Sequence, residues 1–98
     1  VSNTKITISK GQVFKVLHQI FYLAAIPTIY TIPGMRIGLC PDDILKVVQS
    51  TNAVIPEQAL VKVYRRSNTP FMVWVPHCHI LNNCVLDVID TLRSGIKE

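Results

Sequence analysis

His77, Cys78 and His79 stand in a row, and Cys84 follows five positions after His79. They are the densest set of metal-ligating side chains in the chain. Imidazole nitrogen and thiolate sulfur are preferred zinc ligands, but structural zinc takes four of them in a tetrahedron. In an extended segment, neighbouring side chains point to opposite sides. His77 and His79 would then share a side and Cys78 would not. The set falls short of four convergent ligands, so no metal and no cofactor is expected. The thiols read as small hydrophobes and the histidines as loop residues. A nucleophilic cysteine needs a base and an orienting group facing it, and sequence neighbours rarely face each other. No nucleophile elbow, phosphate loop or dinucleotide fingerprint is present. Asp42/Asp43 and Asp87/Asp90 fit helix starts and solvent faces better than acid/base pairs. No catalytic residue emerges, and the chain is expected not to be an enzyme.

The run Trp74-Val75-Pro76-His77-Cys78-His79-Ile80 resembles the His-Cys-His copper motif of laccase-type multicopper oxidases, whose cysteine binds a type 1 copper. The resemblance implies a further histidine five residues after the cysteine, and that position here is Asn83. It also implies other paired histidines, and His18 is the one remaining histidine. Both departures remove the ligands that converge on such a copper.

A second set is basic. Lys62, Arg65 and Arg66 cluster around Tyr64, with Trp74 on the following apolar stretch. Arginine beside aromatic rings can hold phosphates and stack bases. The net charge is only +4, and neither an RNP-type nor a GXXG signature appears. Binding of RNA or single-stranded nucleic acid through Lys62, Tyr64, Arg65 and Arg66 is therefore the alternative function.

The composition bears on the surface. The 98 residues are 49% hydrophobic and only 16% charged, the reverse of a disordered chain. One domain over residues 1–98 is expected, because two halves would each be too small to bury a core. So little charge suggests that part of the surface is covered by a protein partner, a second copy or the rest of a longer chain. The start at Val1 fits excision from such a chain. Three cysteines, an odd number without a C-x-x-C, point to reduced thiols and an intracellular setting, cytoplasmic or nuclear. The uncharged stretch between Lys15 and Arg36 is interrupted by His18, Gln19, Pro27, Pro33 and Gly34, so it is not expected to span a membrane.

The elements that would position these groups follow from patterning. Thr4 to Ile8 alternates as a strand. Ser9 to Gln12 fits a capping box. Val13, Leu17, Ile20 and Ala24 then recur at helical spacing until Pro27. Thr28 to Ile32 and Met35 to Leu39 flank Pro33-Gly34, which suits a type II turn. Gly38 marks a bulge or a close backbone approach. Pro41, Asp42 and Asp43 resemble a helix start, with Ile44, Leu45, Val47 and Val48 as its apolar side and Asn52 as its stop. Residues 56–66 admit two readings: Pro56-Glu57 could open a helix running through Tyr64, whereas the β-branched and aromatic Leu60 to Tyr64 favours a hairpin with Phe71 to Val75, whose second strand Pro70 and Pro76 put at an edge. Asn82 or Asn83 would cap a last helix carrying Val85, Val88, Ile89 and Leu92 and ending at Gly95.

The expected fold class is α+β: a small single-domain sandwich of antiparallel hairpins with about three helices packed on the sheet, in the order β-α-β-β-α-β-β-α. Leu17 and Ile89 are expected in the core. That order is loosely similar to roadblock or longin-type adaptor folds. The function expected is non-catalytic protein–protein interaction or oligomerisation. Phe71, Met72, Val73, Trp74 and Val75 are the expected contact, because this strand is apolar on both faces. No charged residue from Ser67 to Leu86 guards its edge, and Trp74 is a natural anchor.

Overall fold

The computed structural model describes residues 7–66 and 68–87. These are mostly sheet. Seven strands and one short helix follow in chain order: β1 (Val13–Val16), β2 (Ile20–Leu23), β3 (Arg36–Leu39), β4 (Ile44–Gln49), β5 (Gln58–Tyr64), β6 (Phe71–Pro76), α1 (His77–Asn83) and β7 (Cys84–Leu86). Five strands form one antiparallel sheet in the order β6-β5-β4-β1-β7, and β2 pairs with β3 in a second, two-stranded sheet. Among the described residues the expected helices on the sheet are not found: two of those stretches are strands, most of the third lies outside the described residues, and the adaptor-like order of helices and hairpins is not kept.

The first expected helix is two strands. Phe14 and Val16 are fully buried while Lys15 between them is exposed, which is the period of a strand. Val13, Val16 and Ile20 are β-branched and stiff at χ1, which favours a pleated backbone. The helical spacing of Val13, Leu17 and Ile20 coincides with this alternation only by skipping positions. Leu17, expected in the core, lies just past β1 and is 50% exposed. Its backbone N–H donates to the Asn83 carbonyl at 2.8 Å. The presumed capping box is a turn. Ser9 N–H donates to Gln12 Oε1 at 2.8 Å and Gln12 N–H to the Ser9 carbonyl at 3.2 Å. Gly11 takes φ 92°, and the chain leaves into β1 rather than a helix.

The second expected helix is β4. Leu45 and Val47 point into the core, while Ile44, Lys46 and Val48 face outward. The residues that resembled a helix start form a turn, with Asp42 at φ 76°. Asp43 is turned inward, where its carboxylate accepts the Cys40 N–H at 2.9 Å. Of the last expected helix, Asn82 and Asn83 belong to the end of α1 and Val85 to β7. Val88, Ile89, Leu92 and Gly95 lie outside the described residues. So do positions 4–6 of the first expected strand, whose Ile8 is in the core.

Two hairpin expectations meet a clear outcome. β5 and β6 pair from Val63↔Phe71 to Gln58↔Pro76, and β6 is an outer strand of its sheet. Pro33-Gly34 makes a turn closed by Met35 N–H to the Ile32 carbonyl at 3.1 Å, with Gly34 at φ 87° as a type II turn requires. The strands it serves are β2 and β3, however, and Thr28 to Ile32 is not a strand.

The inner face of the large sheet carries Phe14, Val16, Leu45, Val47, Val61, Val63, Val73 and Val75. Ile20, Ile37 and Leu39 of the small sheet and Ile80 of α1 join the same cluster. The small sheet therefore supplies the cover that helices were expected to give.

Candidate interaction surface

In β2, Ile20 is buried and Tyr22 half-buried, whereas Phe21 and Leu23 are 70% and 63% exposed. In β3, Ile37 and Leu39 are buried while Arg36 is exposed. Register sets Phe21 opposite Gly38 and Leu23 opposite Arg36 on the outer face. Gly38 meets its expected close approach here, since a Cβ on it would lie 3.3 Å from the Phe21 ring. The β2–β3 connection adds Ile29, Tyr30, Ile32 and Met35, all exposed. Of ten exposed large hydrophobic side chains among the described residues, these four with Phe21 and Leu23 make six. Such concentration in one hairpin is unlike the scattered single hydrophobes of an ordinary surface.

The connection is ordered by its own polar groups. Thr28 and Thr31 exchange backbone bonds of 3.1 and 3.3 Å, and their hydroxyls are 3.0 Å apart. Gly34 N–H donates to the Ala24 carbonyl at 2.7 Å, and Ala24 N–H to the Met35 carbonyl at 2.8 Å. Two side chains then tie the small sheet to the outer edge of β6. Tyr22 Oη donates to the Trp74 carbonyl at 2.8 Å and Thr28 Oγ1 to the Met72 carbonyl at 3.3 Å.

That seam determines where the expected contact residues lie. Val73 and Val75 are inside the core, Trp74 is 9% exposed, and Phe71 and Met72 are half-buried. The strand is apolar on both faces, but the chain's own small sheet lies against its edge. Phe21 and Leu23 fall within the stretch from Val13 to Pro27 that the spacing reads as a helix, and Ile29 and Ile32 within the expected strand from Thr28 to Ile32, so none of the four is read as surface from the sequence. The available signal was the uncharged stretch from Lys15 to Arg36, too apolar for one solvent-facing hairpin.

Arg36 sits between two shallow depressions. One, of about 310 Å³, is lined by Phe21, Tyr22, Leu23, Arg36 and Ile37. The other, of about 320 Å³, includes Tyr30, Met35, Arg36, Arg65 and Phe71.

The basic set is divided. Lys62 lies over the Tyr64 ring at 5.6 Å and directly opposite Lys46 on the outward face of the large sheet. Lys15 is on the same face, opposite Ile44, and its ammonium is 3.6 Å from Asp42. Arg66 lines a separate depression with Lys15, Asp42, Ile44 and Asp87. Arg65 points away from these groups. Its guanidinium is committed to Asp43 and Gly38, and the Asp43 hydrogen bond, chiefly, raises its pKa.

His77, Cys78 and His79 fall on α1, where successive residues are about 100° apart. His77 Nε2 meets the Ser50 carbonyl at 2.7 Å. The His79 ring stacks on Tyr22 with centroids 5.6 Å apart. Cys78 is exposed, and Cys84 is buried with its thiol pushed up to about 12 by desolvation. Among the described residues, no three His, Cys, Asp or Glu side chains are grouped to hold a metal ion. No helix among them is long and apolar enough to cross a membrane. Comparison of the chain with protein-family models, with curated proteins and with solved structures returns no match.

Proposed function

We propose that this chain is a non-catalytic protein–protein interaction or oligomerisation domain of a larger protein or assembly, acting inside the cell where its cysteines stay reduced. The observation that carries the reading is the exposed apolar face of the β2–β3 hairpin. An ordered hairpin with Phe21, Leu23, Ile29 and Ile32 turned outward gains free energy when another surface covers it. The strand first expected as the contact, Phe71 to Val75, supports this role from beneath, because its edge anchors Tyr22 and Thr28 of the hairpin. The experiment is light scattering over a concentration series, with capture of bound proteins from a native extract. Phe21→Ser with Ile32→Ser should abolish the association seen with the unaltered chain and leave the free energy of urea unfolding within ~0.5 kcal/mol, as at exposed sites. A monomer that captures nothing, with or without these changes, would defeat the reading.

One observation favours the alternative, RNA or single-stranded nucleic acid. Lys46 and Lys62 are directly opposed in the large sheet, with Tyr64 and Lys15 on the same face, so cationic and aromatic side chains share one surface. A labelled single strand titrated across a salt series tests it. Affinity that falls steeply with salt and is weakened by Lys62→Ala and Tyr64→Ala would favour nucleic acid over protein.

A further inference from the structure

Arg36 is the one charged residue between Lys15 and Asp42. It stands on the outer face of the hairpin, exposed, between the two depressions of about 310 and 320 Å³. Its guanidinium has no ion pair or hydrogen bond among the described residues. An arginine fork is matched in shape to a carboxylate, which it binds through two parallel hydrogen bonds. The flanking walls are Phe21, Leu23 and Ile37 on one side and Tyr30, Met35 and Phe71 on the other. They offer no second charge except Arg65, which Asp43 already neutralises.

We propose that the β2–β3 hairpin docks a short acidic peptide segment, with one carboxylate on Arg36 and apolar side chains entering the two depressions. The inference rests on the interaction-domain reading and names the chemistry of its partner. Charge complementarity selects this occupant over a second copy. A two-fold contact centred on the hairpin would bring Arg36 toward its own counterpart, between chains that each carry +4. A negatively charged segment is instead drawn to both the local and the net charge. The apolar side chains supply most of the affinity, and the carboxylate selects for acidic over basic segments.

The test uses the intact chain, isotope-labelled, with the synthetic peptide acetyl-Gly-Leu-Phe-Glu-Leu-Phe-Gly-amide and its Lys-for-Glu counterpart. Saturable NMR shifts should map to Phe21, Leu23, Tyr30, Met35 and Arg36, and the acidic peptide should bind at least about tenfold tighter. Arg36→Glu should invert that preference and Arg36→Gln should erase it. Arg36 is exposed, so both variants should keep the backbone spectrum elsewhere. Equal binding of the two peptides would overturn the assignment of a carboxylate. Binding of neither, with a concentration-dependent dimer lost in Phe21→Ser, would overturn it in favour of a second copy and leave the interaction-domain reading standing. Binding of neither by a persistent monomer that captures no protein would remove both. Shifts at these residues produced only by a single-stranded RNA would also overturn it.

Discussion

Arg65 Nη2 lies 2.7 Å from Asp43 Oδ2, and Arg65 Nε is 3.2 and 3.1 Å from the two carboxylate oxygens. The same guanidinium donates to the Gly38 carbonyl at 2.9 Å. One side chain, just beyond β5, thereby fastens the start of β4 and the edge of β3. Asp43 is 3% exposed and also accepts the Cys40 N–H.

Removing either partner strands the other. Arg65→Ala or Asp43→Asn should each cost about 2–3 kcal/mol in urea unfolding, at or below the lower end of the range for fully buried pairs because the Arg65 side chain is 28% exposed. Arg65→Lys keeps the charge and loses the fork, so it should recover only part of the loss. A change under 0.5 kcal/mol in Arg65→Ala would make the cluster a surface decoration.

Core truncation should separate the strand reading of residues 13–24 from the helical one. Phe14→Ala and Leu45→Ala, both fully buried, should cost about 3–5 and 2–5 kcal/mol. Leu17→Ala, at a half-exposed position, should cost under about 1 kcal/mol. A helix packed on the sheet through Leu17 would reverse that order.

Tyr22→Phe and Thr28→Val together should bare the outer edge of β6. Each lost hydrogen bond costs roughly 0.5–1.5 kcal/mol. The larger effect expected is self-pairing, since an apolar edge without charge is a template for other strands. Aggregation on warming, followed by light scattering, should set in earlier for the double variant than for either single one.

Stability should fall in alkali. Burial pushes the Cys84 thiol up to about 12 and likewise raises the Tyr22 phenol well above its ordinary value. In the unfolded chain they ionise at about 8.5 and 10. Above pH 9 the unfolded state therefore holds fewer protons than the native state, and stability declines with pH. Their contribution is fully present below about pH 8 and is lost as pH rises through 12. Urea midpoints should be flat from pH 6 to 8 and drop by pH 10.5, less so in Cys84→Ala. A flat profile to pH 10.5 would mean that both groups ionise in the folded chain as they do in water.

Local chemistry alone determined the Pro33-Gly34 turn and the β5–β6 hairpin. Pro33-Gly34 imposes a type II turn wherever it sits, because proline presets one φ and glycine supplies the positive one. β5 and β6 were legible because dense β-branched and aromatic residues flank a turn segment. Gly38 was legible as a close approach, though not that Phe21 would make it. Residues 13–24 and 41–49 were not legible as strands. Their apolar positions satisfy both a 3.6 and a 2.0 period over such short lengths. Which face is buried depends on strands far away in sequence: Phe14 needs Leu45 and Leu86 beside it. The candidate site depends on the same distant pairing. That Phe71 to Val75 is apolar on both faces is written in the chain. That its edge is met by Tyr22 and Thr28, leaving the outer face of the hairpin as the apolar surface turned to solvent, was decided only when residues 44 to 52 positions apart came together.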